Sequence, residues 1–156
     1  MALDPTARES NFKDSIKKYF VESLKDTENL HIAFDKSLSA PYLIGVTQKK
    51  WVVINWGAFM RGTLSEASID INCGTRQDNE GFQLAQLCDK VLGYLSDEDA
   101  THGMKTITFY RSFPNSAWVK IGGLLVWNII ESGTLEAPDE SKYKIITVVF
   151  KFASKF

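Results

Sequence analysis

The chain has 156 residues, 44% hydrophobic, 24% charged and 12% aromatic, with a formal net charge of −1. That fits one domain spanning residues 1–156, with enough apolar material to offset the ordering entropy of a packed core, and it excludes global disorder. No basic block is present to capture nucleic acid electrostatically, and two cysteines, Cys73 and Cys88, make no disulfide framework.

The polar opening MALDPTARES reads as a flexible segment over residues 1–9 without a secretory signal pattern. Phe12, Ile16, Tyr19, Phe20 and Leu24 then recur at three- and four-residue steps and predict an amphipathic helix, started by Thr6 with Glu9 or by Ser10. Lys25–Asn29 ends it. Leu30, Ile32 and Phe34 alternate with polar neighbours as a short strand, and Tyr42–Val46 reads as another short strand or an edge segment. Lys49–Gly57 is β-branched and aromatic, hence a strand, and Ala58–Gly62 (AFMRG) reads as the turn after it.

In the next strand Ala67, Ile69, Ile71 and Cys73 point one way, and Ser68, Asp70 and Asn72 the other. Asp78 or Asn79 is the expected cap of a second helix, whose buried face is predicted as Phe82, Ala85, Leu87, Cys88, Val91, Leu92 and Leu95. An acidic loop, SDEDATHG, leads to three more strands, MKTITFYRSF, WVKIGGLLVWNII and KYKIITVVFKF. They are joined through Pro114-Asn115 and the polar SGTLEAPDESK, and Gly122-Gly123 predicts a bulge or bend. The order predicts an α+β domain: a mixed, mostly antiparallel sheet with two helices packed on one face. The longest apolar run, Ile121–Ile130, is too short to cross a bilayer, so no membrane partner is expected.

The last strand is apolar on both sides. Ile146, Val148, Phe150 and Phe152 share one face, and Tyr143, Ile145 and Val149 the other. Either the strand is central and covered twice, or its second face meets another subunit.

Chemistry is sparse. His31 alternates with apolar strand residues, and His102 sits beside Asp97, Glu98 and Asp99 without the spacing of a calcium loop. Cys73 and Cys88 fall on apolar faces and lack zinc-ligand spacing. No nucleophile elbow or phosphate-binding glycine motif occurs, and a carboxylate pair of Glu66 and Asp70 has nothing to make it an acid–base couple. No catalytic, cofactor-binding or metal-binding residue is therefore assigned, and no cofactor is expected. Trp51, Trp56, Trp118 and Trp127 serve as core, as interface anchors or as the lining of a ligand pocket.

The amphipathic first helix, the strand ASIDINCGTRQDNEG running into the helix FQLAQLCDKVLGYL, and the closing KYKIITVVFKF together resemble the tail terminator (tail completion) family of long-tailed bacteriophages. The likeness spans about Phe12 to Phe152, and the AFMRG and SGTLEAPDESK connections have no counterpart in it. The resemblance implies a structural virion protein without enzymatic activity, made in the host cytoplasm and built into the tail. It also implies a hexameric ring of identical subunits that caps the tail tube protein, meets the head–tail connector proteins, and lets DNA only pass through its lumen. A ring needs two different patches per subunit. Phe59, Met60 and Arg61 are the candidates for one, and Arg76, Asp78 and Glu80, or the SGTLEAPDESK loop, for the other. The alternatives are a small adaptor or ligand-binding module with a Trp-lined pocket, and a small enzyme using Asp70, Glu66 or His102.

Overall fold

The computed structural model describes residues 9–35, 50–62, 64–76, 78, 80–111, 118–136 and 141–153. The expectations for the N-terminal segment and Thr6, for Tyr42–Val46, Asn79, Pro114-Asn115 and residues 137–140 lie outside the described residues.

Helix α1 covers Glu9–Phe20 and continues as π-helical turns over Val21–Thr27. Phe12, Ile16, Phe20 and Leu24 are all buried. A four-residue spacing drifts around a 3.6-residue helix, and the wider π turns take back part of that drift, keeping Leu24 in line with Phe20. Asn29, at φ 54°, turns the chain out of the helix, and the Leu30 N–H donates to the Leu24 carbonyl at 2.9 Å.

Seven strands follow: β1 (His31–Phe34), β2 (Lys50–Met60), β3 (Leu64–Thr75), then, after helix α2 (Phe82–Gly93), β4 (Thr106–Arg111), β5 (Val119–Glu131), β6 (Leu135–Glu136) and β7 (Lys142–Ala153). Their order across the sheet is β1-β2-β3-β7-β5-β4, with β6 also pairing with β7. Every pairing is antiparallel except β1 with β2. The last strand is thus central, between β3 and β5, with one face turned to the helices and the other to the helix-free side.

Both helices pack on the same side. Phe12, Ile16, Phe20 and Leu24 of the first helix share one core with Leu84, Leu87, Cys88 and Val91 of α2 and Leu95 just beyond it. Opposite them lie the inward residues of the sheet: Val52 and Ile54, Ala67 to Cys73 at alternate positions, and Ile146, Val148, Phe150 and Phe152. The fold is α+β with a mixed, mostly antiparallel sheet, as the element order predicts. Phe12 anchors the open end of this core. Its ring lies 5.7 Å from Phe59, 5.8 Å from Phe150 and 6.1 Å from Phe152. Such aromatic pairs contribute about 0.5–1.5 kcal/mol each beyond their buried area.

Helix α1 also closes a sheet margin. The Tyr110 N–H of the edge strand β4 donates to Ser15 Oγ at 2.8 Å, and the same hydroxyl donates to the Asn11 carbonyl at 2.8 Å. A helical side chain thereby fills a ladder position that a neighbouring strand would otherwise take.

Three local expectations are corrected. AFMRG is not a turn: β2 continues through Met60, paired Phe59↔Ala67 and Met60↔Glu66 beyond a bulge between Trp56 and Phe59. The bulge accommodates Gly57, where a Cβ would lie 2.2 Å from Ser68 Oγ. The buried stripe of α2 is Leu84, Leu87, Cys88 and Val91; Ala85 is exposed, Leu92 is only half-buried, and Phe82 is 66% exposed. Residues 84, 87, 88 and 91 lie within one arc of the helix, and Phe82 and Ala85 fall outside it. Finally, SGTLEAPDESK is not wholly loop, because Leu135↔Tyr143 and Glu136↔Lys142 extend the sheet as β6.

Candidate interaction surface

Because strand side chains alternate, the registers fix which residues share the sheet face turned away from the helices. One row across that face is Met60↔Glu66↔Lys151↔Leu125, and another is Asn55↔Asp70↔Thr147↔Ile130. Leu64 lies beyond the first row, and Trp127 is the extra residue at the bulge between Val126 and Asn128. Four of these apolar side chains are exposed: Met60 60%, Leu64 58%, Trp127 55% and Ile130 58%. Leu125, Ile145 and Val149 are half-buried among them.

Four polar residues on this face pair with one another. Lys151 Nζ lies 4.0 Å from the Trp127 ring centroid and 3.8 Å from Glu66 Oε1. Thr147 donates its hydroxyl to Asp70 Oδ1 at 2.7 Å. Glu66 and Asp70 are therefore each engaged with the last strand and not with one another. The result is a surface rich in exposed apolar side chains, on which Lys151 and Glu66 offset one another and Asp70 accepts a neutral hydroxyl.

The face is not uniformly open. Towards the other end of the β2–β3 hairpin Trp51 and Val53 are buried and pack with Ala33. The Trp51 ring lies flat against Gly74, where a Cβ would come within 2.3 Å of it, and Arg76 stacks 5.0 Å from the ring centroid. Trp51 Nε1 is buried and finds no hydrogen-bond acceptor among the described residues.

The six residues proposed for partner contacts divide. Phe59 is half-buried and packs on Phe12 and Phe152 (5.7 Å each), so it belongs to the core. Met60, its neighbour, points to the helix-free face. Arg61 is exposed, with its guanidinium 5.3 Å from the Phe59 ring centroid. Asp78 is buried and caps α2: its Oδ2 accepts the Leu84 N–H at 2.9 Å and the Thr75 hydroxyl at 3.2 Å. Burial pushes that carboxyl up, but the Leu84 and Gln83 N–H groups, the Thr75 hydroxyl and the Gly81 N–H together hold it below the usual carboxylate range. Glu80 is exposed in the turn leading to the helix, and Arg76 is half-buried over Trp51. Met60 and Arg61 thus sit at one end of the hairpin, and Arg76 and Glu80 at the other.

Leu64 and Ile130 are not singled out by the sequence, and Trp127 is one of four tryptophans that it leaves open between core, interface and pocket. The signal available for them was the second apolar face of the last strand, since Ile130 and Trp127 flank Val149 on the adjacent strand.

The tryptophans do not converge on one pocket. Trp51 and Trp56 lie on opposite faces of β2, Trp127 lies on the outer face, and Trp118 packs beside Tyr110 at 5.8 Å. Two clefts of about 270 Å³ lie elsewhere, one between α1 and β4 and one beside Leu30, Lys50 and Gln86, and no tryptophan lines either. Among the described residues no three His, Cys, Asp or Glu side chains are grouped to hold a metal ion, and no helix is long and apolar enough to cross a membrane. His102 Nδ1 accepts the Met104 N–H at 3.1 Å within its exposed turn.

No protein-family model matches the chain, and no curated protein sequence matches it. A solved structure whose name carries no functional information shares the fold, with a TM-score of 0.59 over 93% of this chain and 95% of that one. At 8% identity that similarity establishes the architecture alone.

Proposed function

We propose that this chain is a non-enzymatic subunit of the tail terminator type, which associates with copies of itself into a ring that caps a phage tail tube and joins it to the head connector. The observation carrying the reading is the helix-free sheet face, where Met60, Leu64, Trp127 and Ile130 are exposed although the core is complete without them. Exposed apolar side chains grouped on one face mark a protein–protein contact. A closed ring also needs two dissimilar patches per subunit. The two ends of the β2–β3 hairpin, Met60 with Arg61 and Arg76 with Glu80, lie about 35 Å apart along an eleven-residue strand, a separation that suits head-to-tail contacts.

Light scattering coupled to size exclusion tests this, on the protein alone and mixed with tail tube particles. The expected result is a ring-sized species, or co-elution with tubes, that Trp127→Asp with Ile130→Asp abolishes while circular dichroism stays unchanged. A strict monomer under both conditions refutes the reading.

A further inference from the structure

Strand β4 ends the sheet among the described strands, so one row of its backbone groups has no strand beside it. The Lys105 carbonyl accepts the Val126 N–H of β5 at 3.0 Å, and this sets the alternation along β4. Ile107 and Phe109 turn their peptide groups to β5, whereas Thr106, Thr108 and Tyr110 turn theirs to the open edge. At Tyr110 the edge is filled: Ser15 Oγ accepts the N–H at 2.8 Å and lies 3.3 Å from the carbonyl. Thr106 and Thr108 have no such edge-side partner among the described residues. They form one wall of the cleft of about 270 Å³ between α1 and β4, opposite Lys18, Tyr19 and Glu22 and beside Lys105.

We propose that this cleft takes a short extended segment of another polypeptide, which adds to the β4 edge at Thr106–Thr108 and carries a carboxylate side chain. Each of these residues offers an N–H and a C=O side by side, and the two pairs are about 7 Å apart, the repeat of an extended chain. Another backbone satisfies both groups, while a free anion satisfies only the donor. The segment is short because the edge is closed at both ends, by Ser15 at Tyr110 and by the Leu95 carbonyl, which accepts the Lys105 N–H at 3.0 Å. The charge follows from the lysines. The Lys18 ammonium is held by Glu22, but the half-buried Lys105 side chain has no ion pair among the described residues. The cleft is left with one uncompensated positive charge, which a carboxylate complements. It lies at the β4 margin of the sheet and does not rest on the ring reading.

Amide hydrogen exchange and chemical shifts of the full-length, isotope-labelled protein test this, with acetyl-Asp-Thr-Val-Thr-Asp-amide as the probe at millimolar concentration. In the free protein the Thr106 and Thr108 amides are expected to exchange at least roughly tenfold faster than those of Ile107 and Phe109. The probe slows and shifts the Thr108 amide, and its fully N-methylated counterpart does neither. Replacing both aspartates of the probe by lysine, or Lys105→Glu in the protein, weakens binding roughly fivefold. Thr108→Pro removes the edge-side N–H without breaking a bond to β5, so the fold persists and probe binding is lost. The proposal is overturned if the free Thr108 amide is already as protected as those of Ile107 and Phe109. It is overturned equally if the N-methylated or lysine probe binds as well as the first, or if the first leaves Thr106 and Thr108 unmoved. These wild-type measurements decide the matter even where a variant fails to fold.

Discussion

Phe59 and Met60 are consecutive residues of β2, and the structure assigns them opposite consequences. The Phe59 ring touches Phe12, Phe152 and the Arg61 guanidinium, whereas the Met60 side chain is 60% exposed. Truncating a fully buried Phe to Ala costs about 3–5 kcal/mol. Phe59 is half-buried, so about 2–3 kcal/mol is expected, including two aromatic contacts. In a domain of this size that is a fall in melting temperature of roughly 4–12 °C. Met60→Ala removes little buried area and is expected to stay within about 0.5 kcal/mol of wild type. Thermal denaturation of the two variants side by side measures the difference. Equal destabilisation, or a larger loss at Met60, refutes the register beyond the Trp56–Phe59 bulge and with it the assignment of the two faces.

Asp78→Ala is expected to lose about 1–2 kcal/mol, because the buried carboxylate accepts the Leu84 N–H at the start of α2; urea titration followed by far-UV circular dichroism reads this. Since the folded protein holds that carboxyl below its ordinary value, its stabilisation is present at neutral pH and is lost as pH falls through the acid range below pH 4, a loss absent in Asp78→Asn. At the other extreme, burial and the neighbouring Tyr94 push the Tyr19 hydroxyl up to about 12, so stability is expected to decline as pH rises from about 10 to 12. Tyr19→Phe flattens that decline if the assignment is right. Gly74→Ala places a methyl against the Trp51 ring and is expected to destabilise strongly, with Trp51 fluorescence shifting towards the exposed value.

Most of the scaffold is written in short-range periodicity. The alternation of Ala67, Ile69, Ile71 and Cys73, and that of Ile146 to Phe152, identify inward faces that the structure reproduces residue by residue. The first helix is equally legible, from Phe12 to Leu24. What local pattern does not carry is pairing. AFMRG resembles a turn because two glycines flank it, yet Gly57 serves a close approach to Ser68 and the ladder runs on. Asp78 is legible as a cap of α2, but a polar residue between elements reads as surface, and only its contacts with Leu84 and Thr75 reveal that the cap is buried. Phe82 shows the converse error, an apolar residue at a helix start that lies outside the packed arc. The central position of the last strand depends on strand order, and the openness of its second face on both helices packing against the other; both are long-range properties. The doubly apolar pattern of that strand is visible in the sequence; that Leu64 and Ile130 lie beside it, and that Trp127 takes the outer face, follows only from the register.

The hydroxyl of Ser15, seated on the Tyr110 peptide, has a consequence for the edge of the sheet. With α1 docked, β4 cannot accept an added strand at that position. The first helix thus acts as a guard rail, and heat or a variant that lifts it exposes an unpaired backbone donor on which an open-ended ladder can start.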